Sequence, residues 1–190
     1  MFLVTGGAGF IGSNIINYLV DHGQEVVSVD WHNNFRNKYF QNLNFKVIDP
    51  SSLNTFLKTN KKRISVIIHL GAITSTTERD LNLIINNNVR LSLMLYEWCT
   101  KYKKRLIYAS SAATYGSGEN GFNDTSDDEY LSQLMPLNLY GWSKHVIDRF
   151  IWNKSKQKNK PSQCVGLKFF NVYGPNEFHK KDMRSIILKI

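Results

Sequence analysis

The sequence predicts an α/β fold with a doubly wound parallel sheet, and three observations predict it. Apolar runs of strand length alternate with longer segments of helical period, the pattern of a parallel sheet covered on both faces. Most of the strand-like runs are rich in Val and Ile, as doubly buried strands are. A glycine-rich turn, Gly6 to Gly12, separates the first strand-like run from the first helical segment. Length sets the scale: 190 residues with 42% hydrophobic and 13% aromatic side chains supply one good core and hardly two.

Taken in order, Phe2 to Thr5 reads as the first strand and Ile11 to His22 as the first helix. Glu25 to Asp30, carried by Val26, Val27 and Val29, is the second strand, and Phe45 to Ile48 the third. A helix over Ser52 to Thr59 leads to the fourth strand, Val66 to Leu70, with its run of Val and Ile. Leu81 to Tyr102 has the length and period of a long helix, followed by a fifth strand over Arg105 to Ala109. Tyr140 to Ser155 is the last long helix and Cys164 to Phe169 the sixth strand. The stretch from Gly116 to Pro136 is polar, acidic and irregular, and a loop of that length inside a compact domain is usually functional.

Composition excludes several classes. The two cysteines, Cys99 and Cys164, lie far apart without metal-ligand spacing, so neither a disulfide framework nor a metal site is expected. They read as reduced thiols of a cytoplasmic protein. No basic leader precedes the first strand and no stretch reaches the length of a bilayer span, so membrane insertion is not expected. The net charge of +9 invites a nucleic-acid reading of Lys101 to Arg105 and Lys154 to Lys160. Both runs fall where helices end, where cations complement the helix dipole, and no nucleic-acid module accompanies them.

The glycines carry the first chemistry. In Gly6-Gly7-Ala8-Gly9-Phe10-Ile11-Gly12, Gly6 permits a tight turn, Gly9 lets the backbone approach a pyrophosphate, and Gly12 allows close packing of helix on strand. Asp30, at the end of the second strand, stands where an acid bonds an adenosine ribose. Together they predict a dinucleotide site. Tyr140-Gly141-Trp142-Ser143-Lys144 places a phenol and an ammonium on one helix face. A phenol with an ordinary pKa near 10 needs neighbouring positive charge to serve as a base. Tyr108 to Gly116 adds a Ser/Thr-rich segment straight after the fifth strand, with Ser110, Ser111 and Thr114 as hydroxyl candidates.

These motifs resemble the extended short-chain dehydrogenase/reductase family of NAD(P)-binding Rossmann enzymes, and within it the sugar-nucleotide epimerases acting on ADP-heptoses. The spacing Gly-x-x-Gly-x-x-Gly, the Tyr-x-x-x-Lys pair and the serine segment carry the resemblance. Gly71-Ala72-Ile73-Thr74-Ser75-Thr76-Thr77-Glu78 is similar to the hydroxyl-rich loop of the heptose epimerases, and Phe169 to Lys180 to their segment in which a lysine follows Gly-Pro and His. His69-Leu70-Gly71-Ala72 meets the family's His-x-Ala-Ala only approximately, and His69 reads equally as a satisfied buried histidine.

The resemblance implies redox epimerisation at C6 of an ADP-glycero-manno-heptose, with an acid/base on each face of the transient carbonyl. Ser111, Tyr140, Lys144 and Lys180 would be catalytic, with Lys181 as the alternative to Lys180. Gly6, Gly9, Phe10, Ile11, Gly12, Asp30, Lys38, Gly71, Ala72, Asn88, Tyr140 and Lys144 would bind the cofactor. Ser75, Thr76, Ser111, Asn171 and His179 would bind the sugar nucleotide. The implied cofactor is NADP. Asp30 would repel a 2′-phosphate and so favours NAD, whereas Arg36 and Lys38 would accommodate the phosphate. No metal is expected, and a homo-oligomer is.

Other members of the family, a 4-epimerase, a reductase or a dehydratase, stay open, as does an inactive cofactor-binding module. A 4,6-dehydratase would carry Asp-Glu where Ala112-Ala113 stands. Residues 1–170 are read as the Rossmann domain and 171–190 as the start of a substrate-binding part. The helical pattern from Arg184 to Ile190 has no stop signal, so most of that second domain is read as absent and the chain as truncated.

Overall fold

A computed structural model describes residues 1–35, 45–125 and 127–177. The chain divides into two compact units, Met1–Gly71 with Asn171–Ile190, and Ala72–Phe170.

The first unit is a parallel sheet. Strand β1 (Phe2–Thr5) pairs with β2 (Val26–Val29) on one side and β4 (Val66–His69) on the other, and β3 (Lys46–Ile48) pairs with β2. Every residue of β2 and β4 is buried, which is why these runs are apolar without alternation. Helix α1 (Phe10–Asp21) connects β1 to β2, and α2 (Leu53–Thr59) lies between β3 and β4 in the chain. Parallel pairing demands such crossovers, since a tight turn cannot return a strand to the same direction. α1 stops at His22 because Gly23 takes φ +69°, and the Gly23 and Gln24 amides bond back to the Val20 and Leu19 carbonyls. Leu3, Val4, Ile16, Leu57, Ile64 and Ile67 form the centre of this unit, each nearly inaccessible to solvent.

In the second unit β5 (Arg105–Ser111) pairs in parallel with β6 (Gln163–Phe169). The long helix expected from Leu81 to Tyr102 runs over those residues without a gap, as α3 (Leu81–Ile84), a π-helical turn over Ile85–Arg90, and α4 (Leu91–Tyr102). The sequence period carries no mark of the widened turn, where the Asn88 side chain bonds Ile73 and Ser143. Lys103 closes α4 in the left-handed conformation, so the basic run Lys101 to Arg105 does straddle a helix end. α6 (Leu139–Ser155) is capped by Asn138, whose side chain accepts from the Gly141 amide, and Lys154 lies in its last turn.

The stretch expected to be irregular contains a helix, α5 (Asp128–Gln133), capped by the Asp127 carboxylate on the Tyr130 amide. Two turns of amphipathic pattern are too short to register as a period. Tyr130, Leu131 and Leu134 join Tyr115 in a buried cluster that supplies the tertiary contacts this helix depends on. Among the described residues no helix is long and apolar enough to cross a membrane.

Candidate functional site

The glycine turn is shaped by what it excludes. Gly6 has φ +71°, and a side chain there would meet the Gly71 backbone at 2.6 Å; one on Gly12 would come within 2.1 Å of the Gly6 carbonyl oxygen. Both positions therefore require glycine, for conformation at one and close approach at both. Gly9, the N-cap of α1, contributes no side-chain bond to the helix's first turn. A twelve-residue helix that begins on a capless glycine presents its N-terminal dipole to an anion.

Asp30 follows β2, and its carboxylate accepts from the Ala8 amide at 3.1 Å, the Trp31 amide at 2.8 Å and the Asn34 side chain at 2.9 Å. The acid is thus tied to the glycine turn itself. These features fit a dinucleotide: a cradle that side chains would fill, a helix N-terminus and a fixed acid. His69 is the satisfied buried histidine, 2% exposed with Nδ1 2.7 Å from the Thr5 hydroxyl. Thr5 also accepts from the Gly71 amide at 3.1 Å, which holds the end of β4 beside the end of β1. Asn171 is exposed. Lys38, His179, Lys180 and Lys181, with Arg36, lie outside the described residues.

The second unit holds the catalytic candidates. Ser111 ends β5, 8% exposed, and its hydroxyl accepts from the Ala113 amide at 3.1 Å. The neighbouring hydroxyls are committed elsewhere: Ser110 donates to Asp148 at 2.6 Å, and Thr114 donates to the Ser111 carbonyl at 2.8 Å. Of the three, Ser111 is the hydroxyl that also bonds Tyr140. Tyr140 opens α6. Burial pushes its phenol above the ordinary value, and a hydrogen bond with Ser111 pulls in the opposite direction.

Lys144, one helical turn on, lies almost wholly buried, with Nζ donating to the Ala109 carbonyl at 2.7 Å and standing 5.9 Å from the centre of the Tyr140 ring. Burial brings its pKa down to about 8, opposed by the Asp148 carboxylate. Serine, tyrosine and lysine thus lie close together, the tyrosine and lysine one helical turn apart as their spacing predicted. Asn88 is 1% exposed, and its amide is fully used. It accepts from the Ile73 amide at 2.8 Å and donates to the Ile73 carbonyl at 2.9 Å and the Ser143 hydroxyl at 3.0 Å. Its side chain therefore pins the loop after β4 against α6. Ser75 and Thr76 are exposed in that loop, where Ser75 bonds Thr77.

Sequence reasoning passed over Asp148 and Lys168, which form an ion pair of a buried acid and a partly buried base behind the serine segment. The available signal was an acid four residues beyond Lys144 and flanked by Ile147 and Ile151.

A family model for the NAD dependent epimerase/dehydratase family matches residues 2–190. The chain belongs to that family. Among curated members, it is 43% identical over 197 residues to the ADP-L-glycero-D-manno-heptose-6-epimerase of Fusobacterium nucleatum subsp. nucleatum, covering 98% of this chain and 57% of that protein. The enzyme of the same name from Brachyspira hyodysenteriae is 40% identical over 192 residues, with 98% and 59% covered. The chain thus spans less than two thirds of the length of these relatives. Among solved members, the Helicobacter pylori ADP-L-glycero-D-manno-heptose-6-epimerase superposes with a TM-score of 0.76 at 30% identity, covering 99% of this chain and 60% of that one. MoeE5, solved with UDP-glucuronic acid and NAD, gives 0.71 at 28% identity, with 92% and 56% covered. The α/β Rossmann fold read from the sequence is the fold of these epimerases.

Proposed function

We propose that this chain is the cofactor-binding and proton-transferring part of a sugar-nucleotide epimerase that inverts C6 of an ADP-glycero-manno-heptose. The observation that carries the reading is the buried cluster of Ser111, Tyr140 and Lys144. The names of the curated relatives support the choice of sugar.

Ser111 donates a hydrogen bond to the reacting sugar oxygen and holds it beside Tyr140. Tyr140 takes the proton from that oxygen as the carbonyl forms. Burial alone opposes the phenolate, so the ammonium of Lys144 stabilises it electrostatically through the low-dielectric space between them. Lys144 is itself fixed by the Ala109 carbonyl, so the charge stands ready without reorganisation. NAD(P), held at the glycine turn, would supply the hydride-transfer chemistry. Lys180 is the acid/base for the opposite face, with Lys181 as its alternative, and residues 171–190 open the substrate-binding part. The glycine turn and the N-terminus of α1 hold the pyrophosphate.

NADP is the proposed cofactor, in keeping with the sequence resemblance. NAD is the second reading, favoured by the Asp30 carboxylate held at the glycine turn, which repels a 2′-phosphate. A cytoplasmic homo-oligomer belongs to the same proposal.

Thermal unfolding with no addition, with NAD and with NADP tests the cofactor: a ligand at a hundred times its dissociation constant adds about 2.7 kcal/mol. The preferred dinucleotide produces the larger shift, and no shift with either overturns the reading. Tyr140→Phe keeps that shift while turnover of the ADP-heptose, assayed in a chain of the relatives' length, falls by about two to four orders of magnitude. Unchanged turnover sinks the role given to Tyr140.

A further inference from the structure

Buried charge in the second unit is not confined to Lys144. Asp148, one turn further along α6, is 7% exposed, and its carboxylate accepts three donors. The Tyr108 hydroxyl reaches it at 2.9 Å, the Ser110 hydroxyl at 2.6 Å and the Lys168 ammonium at 2.6 Å. Lys168, on β6, also donates to the Thr114 hydroxyl at 2.7 Å and lies 5.0 Å from the centre of the Tyr115 ring. Gly166 stands opposite Tyr108 in the β5–β6 register, where a side chain would come within 2.4 Å of the phenol oxygen. A residue without a side chain is what lets Tyr108 reach Asp148.

Stability alone is a poor account of this pair. Desolvating two ions costs about as much as their attraction returns, and apolar replacements are often neutral. The destinations of the bonds are more informative. Tyr108 and Ser110, both held by Asp148, flank Ala109, whose carbonyl receives the Lys144 ammonium. On the other arm Lys168 holds Thr114, and Thr114 holds the Ser111 carbonyl. Both arms end on the proton-transfer cluster.

We propose that the Asp148–Lys168 pair is a positioning element of the proton-transfer site: it locks β5 and the turn after Ser111 onto α6, so that the Ala109 carbonyl and the Ser111 hydroxyl meet Lys144 and Tyr140 in register. The proposal rests on the roles given above to Ser111, Tyr140 and Lys144. A corollary concerns charge. The Asp148 carboxylate favours the protonated Lys144, and Lys168 offsets it. The other groups facing the pair are Tyr108 from β5, Tyr115 from the turn, and His145 from α6.

The test is the titration of Lys144 itself, read in the full chain by NMR of ε-13C-labelled lysine, its signal identified by its loss in Lys144→Met. Asp148→Asn is expected to lower the midpoint by about one pH unit and Lys168→Met to raise it by a comparable amount. Lys168→Arg restores the wild-type value. Opposite directions distinguish this role from mere loosening of the fold, which moves a buried amine towards its solution value in both variants. Midpoints that stay put, or that move the same way, overturn the proposal. If Asp148→Asn does not fold, the contrast between Lys168→Met and Lys168→Arg decides alone. The titration is read without turnover, so a wild-type chain that binds no cofactor strikes the functional reading and leaves this one to be judged on the midpoints.

Discussion

Lys144 concentrates the physics of this protein in one residue. An ammonium is buried here with one carbonyl as its hydrogen-bond partner among the described residues and one carboxylate in the background, and its pKa falls to about 8. Its folded value lies below the unfolded value of 10.5. Between pH 8 and 10.5 the unfolded chain therefore binds more protons than the native one, and stability rises with pH across that window. Below pH 8 both states are protonated and the burial penalty is present in full. Chemical denaturation of wild type and Lys144→Met at intervals from pH 7 to 10.5 checks this. Wild type gains up to about 1.4 kcal/mol per pH unit from Lys144, and Lys144→Met lacks that component. Tyr140 and Lys144 could be paired from the sequence because their spacing is local, whereas Ser111 was named by resemblance. Asp148 and Lys168 were not paired, because twenty residues and two elements separate acid from base and no short pattern encodes the meeting. Asn88 was named from the sequence as a cofactor-binding residue, and its partners in the loop after β4 are set by tertiary structure.

At the scale of elements, α5 shows packing overriding weak local signals. Its two turns are held by the Asp127 cap and by Tyr130, whose hydroxyl accepts from the Asn123 amide at 3.0 Å and donates to the Gly121 carbonyl at 2.9 Å. Tyr115 closes the same loop by donating to the Asn123 carbonyl at 3.0 Å. Tyr130→Phe leaves the buried ring in place and removes both hydroxyl bonds. It is expected to cost about 1–3 kcal/mol in a denaturant titration, with amide exchange accelerated over residues 121–134. A loss no larger than about 0.5 kcal/mol, typical of surface substitutions, contradicts a structural role for the hydroxyl. The π-helical turn is a comparable case. Asn88 takes three bonds outside its own helix, and the widened turn accompanies them.

At the scale of the whole molecule, the net charge of +9 is spread along the chain, with Lys-rich stretches at the ends of α4 and α6. Any retention on duplex DNA is expected to be independent of sequence and to fall steeply with salt, being largely gone by about 0.2 M. A fluorescence titration at two salt concentrations reads this directly. Binding that survives the higher salt with a preferred sequence contradicts it.

The sequence by itself determined the order and type of the long elements, the glycine turn with its acid, and the Tyr-x-x-x-Lys and serine segments. Each is a local pattern, because hydrophobic period, conformational demand and helical spacing act within a few residues. Tertiary structure alone decided the widened turn at Asn88, the folding of α5, the partners of Ser110, Ser111 and Thr114, and the ion pair behind them. Each of those depends on which distant donor reaches a buried acceptor. A linear sequence does not state that, and the burial that makes it matter exists only once the strands and helices have packed.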